Sequence, residues 1–126
     1  MKIIASTDHA AGAQGQNVLE LANDADPLVQ NLAGVTRIDL HFPKFTDGRA
    51  FSQARLLRQR LKFTGEIRAT GDVLVDQLVQ MARCGFDVAV LREGVDIADA
   101  QRQFDRFHAF YQGDVGHPLP HFRDAA

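Results

Sequence analysis

The sequence carries a single cysteine, Cys84, no tryptophan, one tyrosine and four prolines among its 126 residues. One cysteine excludes an internal disulfide and a cysteine-based zinc or iron–sulfur site, and it fits a reducing compartment, so the expected location is the cytoplasm. Long hydrophobic runs are also missing. The stretch from Phe86 to Leu91 is broken by Asp87, so no segment is expected to span a bilayer, and the first residues do not read as a charged-then-apolar leader. There is no excess of base either: 14 Lys and Arg stand against 16 Asp and Glu, a formal charge of −2. That balance, with no Lys-rich or aromatic-interleaved strand, speaks against a nucleic-acid partner.

What is present is enough apolar material, 45% of the residues, for one real core in a single α/β domain spanning residues 1–126. The charge is unevenly spread. Between Arg37 and Arg68 there are eight bases and three acids, a net +5, while the rest of the chain carries −7. Most of these bases are arginines, whose planar fork suits two-point recognition of carboxylate or oxyanion groups. A solvated basic helix face is the simpler explanation of the same residues.

Periodicity orders the chain into alternating strands and helices. Lys2 to Ala5 reads as a short strand, Ser6 to Gln16 as a flexible loop without apolar period, and Asn17 to Leu21 as a second strand. Asp26 and Pro27 form a helix start, with Asp26 as the cap and the helix running to about Leu32. Val35 to Phe42 alternates Ile38, Leu40 and Phe42 with Arg37, Asp39 and His41. Arg49 to Lys62 is an amphipathic helix with Ala50, Ala54, Leu57 and Leu61 on its apolar stripe. Gly65 to Thr70 is a strand, and Gly71-Asp72 opens a helix that Gly85 closes in a left-handed cap. Phe86 to Leu91 is a strand, and Asp96 and Asp99 begin a last helix ending at Gly113. Residues 113–126, with Pro118 and Pro120, are expected to be irregular.

Such βα repeats predict a mainly parallel sheet joined by right-handed crossovers. Central strands of a doubly wound sheet are almost continuously apolar, whereas here Arg37, Asp39 and His41, then Glu66, Arg68 and Thr70, form a polar face. The expectation is a partial β/α barrel, since a complete one takes about 250 residues. A three-layer flavodoxin-like arrangement is the alternative, if the polar residues lie at strand ends. A half-barrel exposes sheet edges, which predicts a homodimer.

In parallel β/α folds, sites form at the carboxyl ends of the strands. Two polar loops lie there by sequence, residues 42–49 and 68–72. Helix N-termini with Lys44, Arg49 and Arg68, helped by the Gly48 and Gly71 loops, form a candidate cradle for a small oxyanion or carboxylate. Asp47, Asp72 and His41 are the candidate catalytic residues, as general base or proton carrier. Asp47 and Asp72 also have an ordinary explanation as helix caps, and His41 as a hydrogen-bonded core histidine.

Other chemistry lacks its motif. No Gly-x-Gly-x-x-Gly follows a strand, and Lys44 follows Pro43, so neither a dinucleotide fingerprint nor a phosphate loop is present. Cys84 sits at a helix C-terminus, where the dipole disfavours thiolate, and reads as a small buried residue. His117 and His121 are separated by Pro118 and Pro120, which prevent the helical turn that would align them on a metal. Neither a metal nor a cofactor is expected. Phe104, Phe107, Phe110 and Tyr111 recur at helical spacing as core or interface.

Several stretches are recognisable: Phe42-Pro43-Lys44-Phe45-Thr46-Asp47-Gly48-Arg49 continuing to Arg58, Phe63-Thr64-Gly65-Glu66-Ile67-Arg68-Ala69-Thr70-Gly71-Asp72-Val73, Asp76-Gln77, and Ala82-Arg83-Cys84-Gly85-Phe86-Asp87. Together they closely resemble the bacterial domain-of-unknown-function 934 family, strongly over residues 35–91 and more loosely over 18–112. The resemblance implies a probable oxidoreductase involved in sulfite reduction, a description that arises from association with sulfite reductase. The chain departs from the family before Asn17. The expected function is therefore an accessory protein of bacterial assimilatory sulfate and sulfite reduction, binding an anion or a redox partner such as sulfite reductase through its basic strand-end surface. The alternative is a small enzyme, an oxidoreductase or another small-molecule catalyst, with its site at the carboxyl ends of the strands.

Overall fold

The computed structural model describes residues 1–11, 16–44 and 46–108. Strands β1 (Lys2–Ala5), β2 (Val18–Leu21), β3 (Arg37–Phe42), β4 (Glu66–Gly71) and β5 (Val88–Leu91) form one sheet. All pairs are parallel, in the order β1-β5-β4-β3-β2. From β2 to β5 each strand lies beside its predecessor, and β1 is placed next to β5 at the far edge. The expected α/β fold with a parallel sheet is present as an open sheet, not a closed barrel. Its sequential order is that of a barrel segment and differs from the flavodoxin order, 2-1-3-4-5.

Helices α2 (Arg49–Gln59), α3 (Leu78–Cys84) and α4 (Ile97–His108) follow β3, β4 and β5. Their apolar stripes meet one face of the sheet. Ala50, Phe51, Ala54 and Leu57 of α2, Leu78 and Met81 of α3, and Ala100 and Phe104 of α4 join Ile3, Leu21, Ile38, Leu40, Ile67, Ala69 and Leu91 in the core. Phe42, Phe51 and Phe86 cluster at ring-centroid distances of 5.1 to 6.4 Å, edge-on or tilted as the ring quadrupoles prefer. Cys84 is fully buried among these groups.

Local boundaries depart from the sequence reading in three places. Ser6–Ala11 is a short helix, α1, where a loop was expected. The segment at Pro27 is a single 3-10 turn, Pro27–Val29, with Asp26 accepting from the Leu28 amide as foreseen but no helix reaching Leu32. After β4 the chain does not enter a helix at Asp72: the Asp72 amide donates to the Phe42 carbonyl at 2.7 Å, which holds the loop against β3, and a 3-10 turn, Val75–Gln77, precedes α3. Gly85 takes the left-handed cap conformation, φ 110°. Asp96 caps α4 through the Asp99 amide. The expected helix end at Gly113, the tail, His117, His121, Phe110 and Tyr111 lie outside the described residues. Among the described residues no helix is long and apolar enough to cross a membrane.

Candidate functional site

Parallel register decides what the second face of the sheet presents. Arg37 pairs with Val18 and Glu66, Asp39 with Glu20 and Arg68, and His41 with Thr70; alternation puts all of these side chains on the face away from α2. Val88 and Val90 continue it on β5. They are buried, yet stand apart from the core cluster.

Arg37 and Asp39 are 2% and 3% exposed, and burial of charge requires pairing. Two residues apart on one strand, their side chains share a face. Arg37 Nε and Nη2 donate to the two Asp39 carboxylate oxygens at 3.0 and 3.2 Å, and Nη1 donates to Gln16 Oε1 at 2.8 Å. On β4 the same spacing lets Arg68 Nε donate to Glu66 at 3.0 Å.

His9 of α1 sits between the two strands. Arg68 Nη1 lies 2.9 Å from His9 Nδ1. A guanidinium only donates, so Nδ1 accepts and the imidazole proton resides on Nε2, which lies 3.6 Å from Asp39 Oδ2. Partial burial lowers the His9 pKa from its usual 6.5; Asp39 opposes this, while Arg37 and Arg68 reinforce it. The ring is neutral near pH 7.

His9, Glu20, Asp39, His41 and Thr70, together with Leu21 and Ala22, line a cleft of about 350 Å³. It lies toward the carboxyl ends of β2, β3 and β4, where sites form in this class of fold. The side chains of Glu20 and His41 make no hydrogen bond or ion pair with any described residue, and both residues are exposed. The Thr70 hydroxyl donates to the Leu40 carbonyl at 3.4 Å, which leaves its oxygen to accept. The acids Glu20, Asp39 and Glu66 outnumber Arg37 and Arg68 by one, and both guanidinium groups are already bonded to carboxylates.

The residues singled out by sequence fall into separate places. His41 lines the cleft, and Gly71 lies against its ring. Asp47 accepts from the Arg49 amide at 3.1 Å and from its guanidinium at 2.8 Å, and Asn23 donates to the same carboxylate. The bonds from Arg49, assisted by Asn23, bring Asp47 from 3.8 to about 2. Arg49 is thus bonded to Asp47 and Arg68 to Glu66 and His9, with no contact between the two arginines. Asp72 pairs with Arg92 at 3.2 Å. Lys44 and Gly48 are exposed on the loop before α2. None of Asp47, Asp72, Lys44, Gly48 or Arg49 lines the cleft.

Sequence reasoning placed Asp39 on the polar face but did not assign it, Glu20 or His9 to a site. Glu20 had a detectable signal, since alternation in a strand of Val18, Leu19, Glu20 and Leu21 points it away from the core. His9 had none: it lies in a six-residue helix and reaches β3 and β4 only because β1 is at the opposite edge from β2. Among the described residues no group of three or more His, Cys, Asp or Glu side chains is placed to hold a metal ion.

A family model described as "Bacterial protein of unknown function (DUF934)" matches residues 18–122. No curated protein matches the chain. The match takes in β2 to β5 and with them Glu20, Asp39, His41 and Thr70; β1 and α1, which supply His9, precede it.

Proposed function

The chain belongs to the DUF934 family of bacterial proteins, and from that premise we propose that it is a small-molecule enzyme whose site is the polar cleft at the carboxyl ends of β2, β3 and β4. Glu20 and His41 exchange a proton with the bound molecule. The His9 Nε2–H donates to it, and the Thr70 hydroxyl oxygen accepts from it. One observation carries this reading: the Glu20 and His41 side chains face the cleft without a hydrogen-bond or ion-pair partner among the described residues, while Arg37, Asp39, Glu66 and Arg68 around them are engaged with one another. Proton-transfer groups need an open coordination of this kind, with neighbours held rigid. The one-charge excess of acid favours a neutral or cationic polar ligand over an anion. Hydride or electron transfer would use a carrier supplied as a co-substrate, because the lining side chains pass no electrons.

The test is a two-dimensional amide NMR titration with a panel of small amines, polyols, sulfite and sulfate. An amine or polyol should shift amides at residues 9, 20–22, 39–41 and 70, and Glu20→Gln and His41→Ala should each weaken it about tenfold, or about 1.4 kcal/mol. Binding that shifts other residues and ignores both substitutions would overturn the assignment.

A second reading, an accessory role in assimilatory sulfate and sulfite reduction, is favoured by a different observation. Lys44, Arg55, Arg60 and Lys62 are exposed and have no ion pair among the described residues, so they remain available to an acidic partner such as sulfite reductase or to an oxyanion. Here the protein works as a cytoplasmic homodimer. Salt-sensitive co-sedimentation with sulfite reductase, lost when Arg55, Arg60 and Lys62 are replaced together, supports it; co-sedimentation indifferent to both changes, or none, removes it.

A further inference from the structure

Resting on the cleft reading, we propose that β1 and α1 form a proton-released wall of the cleft, latched across the sheet through neutral His9. The topology makes a latch necessary. β1 is an edge strand beside β5, and β2 is the opposite edge, and His9 of α1 and Gln16 meet the polar face between them. Among the described residues of the connection from β1 to β2, the side-chain ties to β3 and β4 are those of His9 with Arg68 and Asp39, and of Gln16 with Arg37. On the face that His9 meets, Arg37, Asp39, Val88 and Val90 are each no more than 6% exposed. Burial on that scale on a face without its own core depends on the cover above it.

The latch is sensitive to protonation by its geometry. His9 Nδ1 has one lone pair, which accepts from Arg68 Nη1; a proton placed there removes the bond and sets a cation against a cation. The groups facing His9 are Arg68 on β4, with Glu66 behind it, Asp39 and Arg37 on β3, and Glu20 on β2, while β5 presents only Val88 and Val90. Asp39 is the nearest compensating charge, but both of its oxygens already accept from Arg37. The lowered His9 pKa agrees in sign. A histidine depressed by folding stabilises fully above its unfolded value of about 6.5. That stabilisation is lost as pH falls through the lower folded value.

Hydrogen exchange read by NMR, corrected for the intrinsic pH dependence of amide exchange, tests the latch without any ligand. Protection at residues 3–5 and 9–11 should fall at least fivefold between pH 7.5 and pH 5, while residues 38–42 and 67–70 stay protected. His9→Gln keeps an acceptor for Arg68 but does not titrate, so its protection should be independent of pH; His9→Ala should be open throughout. His41 and the carboxylates are common to all three proteins, so they cannot produce the difference. A wild-type profile without pH dependence, or one that His9→Gln reproduces, overturns the latch. The amine and polyol titration at pH 7.5 is a separate readout: its failure removes the cleft reading while the latch result stands.

Discussion

Arg58 and Asp87 are bound to each other at the amino-terminal end of the sheet, and Asp87 also accepts from the Ile67 amide at 3.0 Å. Arg58 does more than pair. Its Nε donates to the Gly85 carbonyl at 3.0 Å, and Nη1 donates to the carbonyls of Phe63 and Gly65 at 2.9 and 2.7 Å. One guanidinium thus ties the end of α2 to the turns entering β4 and β5. In the sequence Arg58 reads as one of several bases on an outer helix face.

Replacing Arg58 by Ala should destabilise the protein by about 2–4 kcal/mol, because three backbone carbonyls and a carboxylate lose their donor together. Lys should recover little of this, since a single ammonium does not reproduce the planar fork. Urea unfolding of both variants measures it; an Arg58→Ala loss within 0.5 kcal/mol of zero, roughly the scale of a surface change, would show the bonds to be incidental.

Arg37 and Asp39 predict non-additivity. Arg37→Met alone leaves a buried carboxylate without its two donors and should cost about 3–5 kcal/mol. The double variant Arg37→Met, Asp39→Leu removes both charges and should cost clearly less than the sum of the single changes. Denaturation midpoints of the four proteins in the cycle decide it.

Asp47 should titrate by carboxyl-carbon NMR at about 2, below its ordinary 3.8. Its folded value is depressed, so its contribution to stability is present above about pH 4 and disappears as pH falls toward 2. Arg49→Ala removes the largest cause and should return the titration most of the way to 3.8. A carboxyl that already titrates near 3.8 in the unsubstituted protein contradicts the Asp47–Arg49 arrangement.

The legible part of the fold rests on side chains that answer to local periodicity. Ile38, Leu40 and Phe42 alternate against polar neighbours, Ala50, Ala54 and Leu57 recur at helical spacing, and Gly85 marks a cap, so the parallel α/β plan follows from them. What stayed hidden depends on contacts between distant residues. Asp72 looks like a helix start, but its amide is taken by the Phe42 carbonyl, and the helix waits until Leu78. The +5 segment looks like an anion surface in a charge count. In the structure Arg37, Arg49 and Arg68 each bond an acid two residues away, namely Asp39, Asp47 and Glu66. That spacing shares a face in a strand and folds back on itself in the loop. His9 is the extreme case, since its partners are set by the placement of β1 beside β5 and by nothing in its own neighbourhood.

Gly71 links backbone conformation to the cleft. Its φ is +89°, and a Cβ there would run into the Phe42 carbonyl oxygen and the His41 ring. Gly71→Ala therefore combines left-handed strain with a clash against backbone, and should cost about 1–3 kcal/mol. Gly94 provides the control: its φ is +86° and nothing lies within 4 Å of the same position, so Gly94→Ala carries the strain alone, about 1 kcal/mol. The excess at Gly71 isolates the clash. Because the ring that must move belongs to His41, Gly71→Ala should also shift the His41 Cε1–H resonance and weaken any ligand held in the cleft, whereas Gly94→Ala should do neither. Equal costs for the two substitutions, with an unmoved His41 resonance, would mean that His41 does not rest on Gly71 in solution.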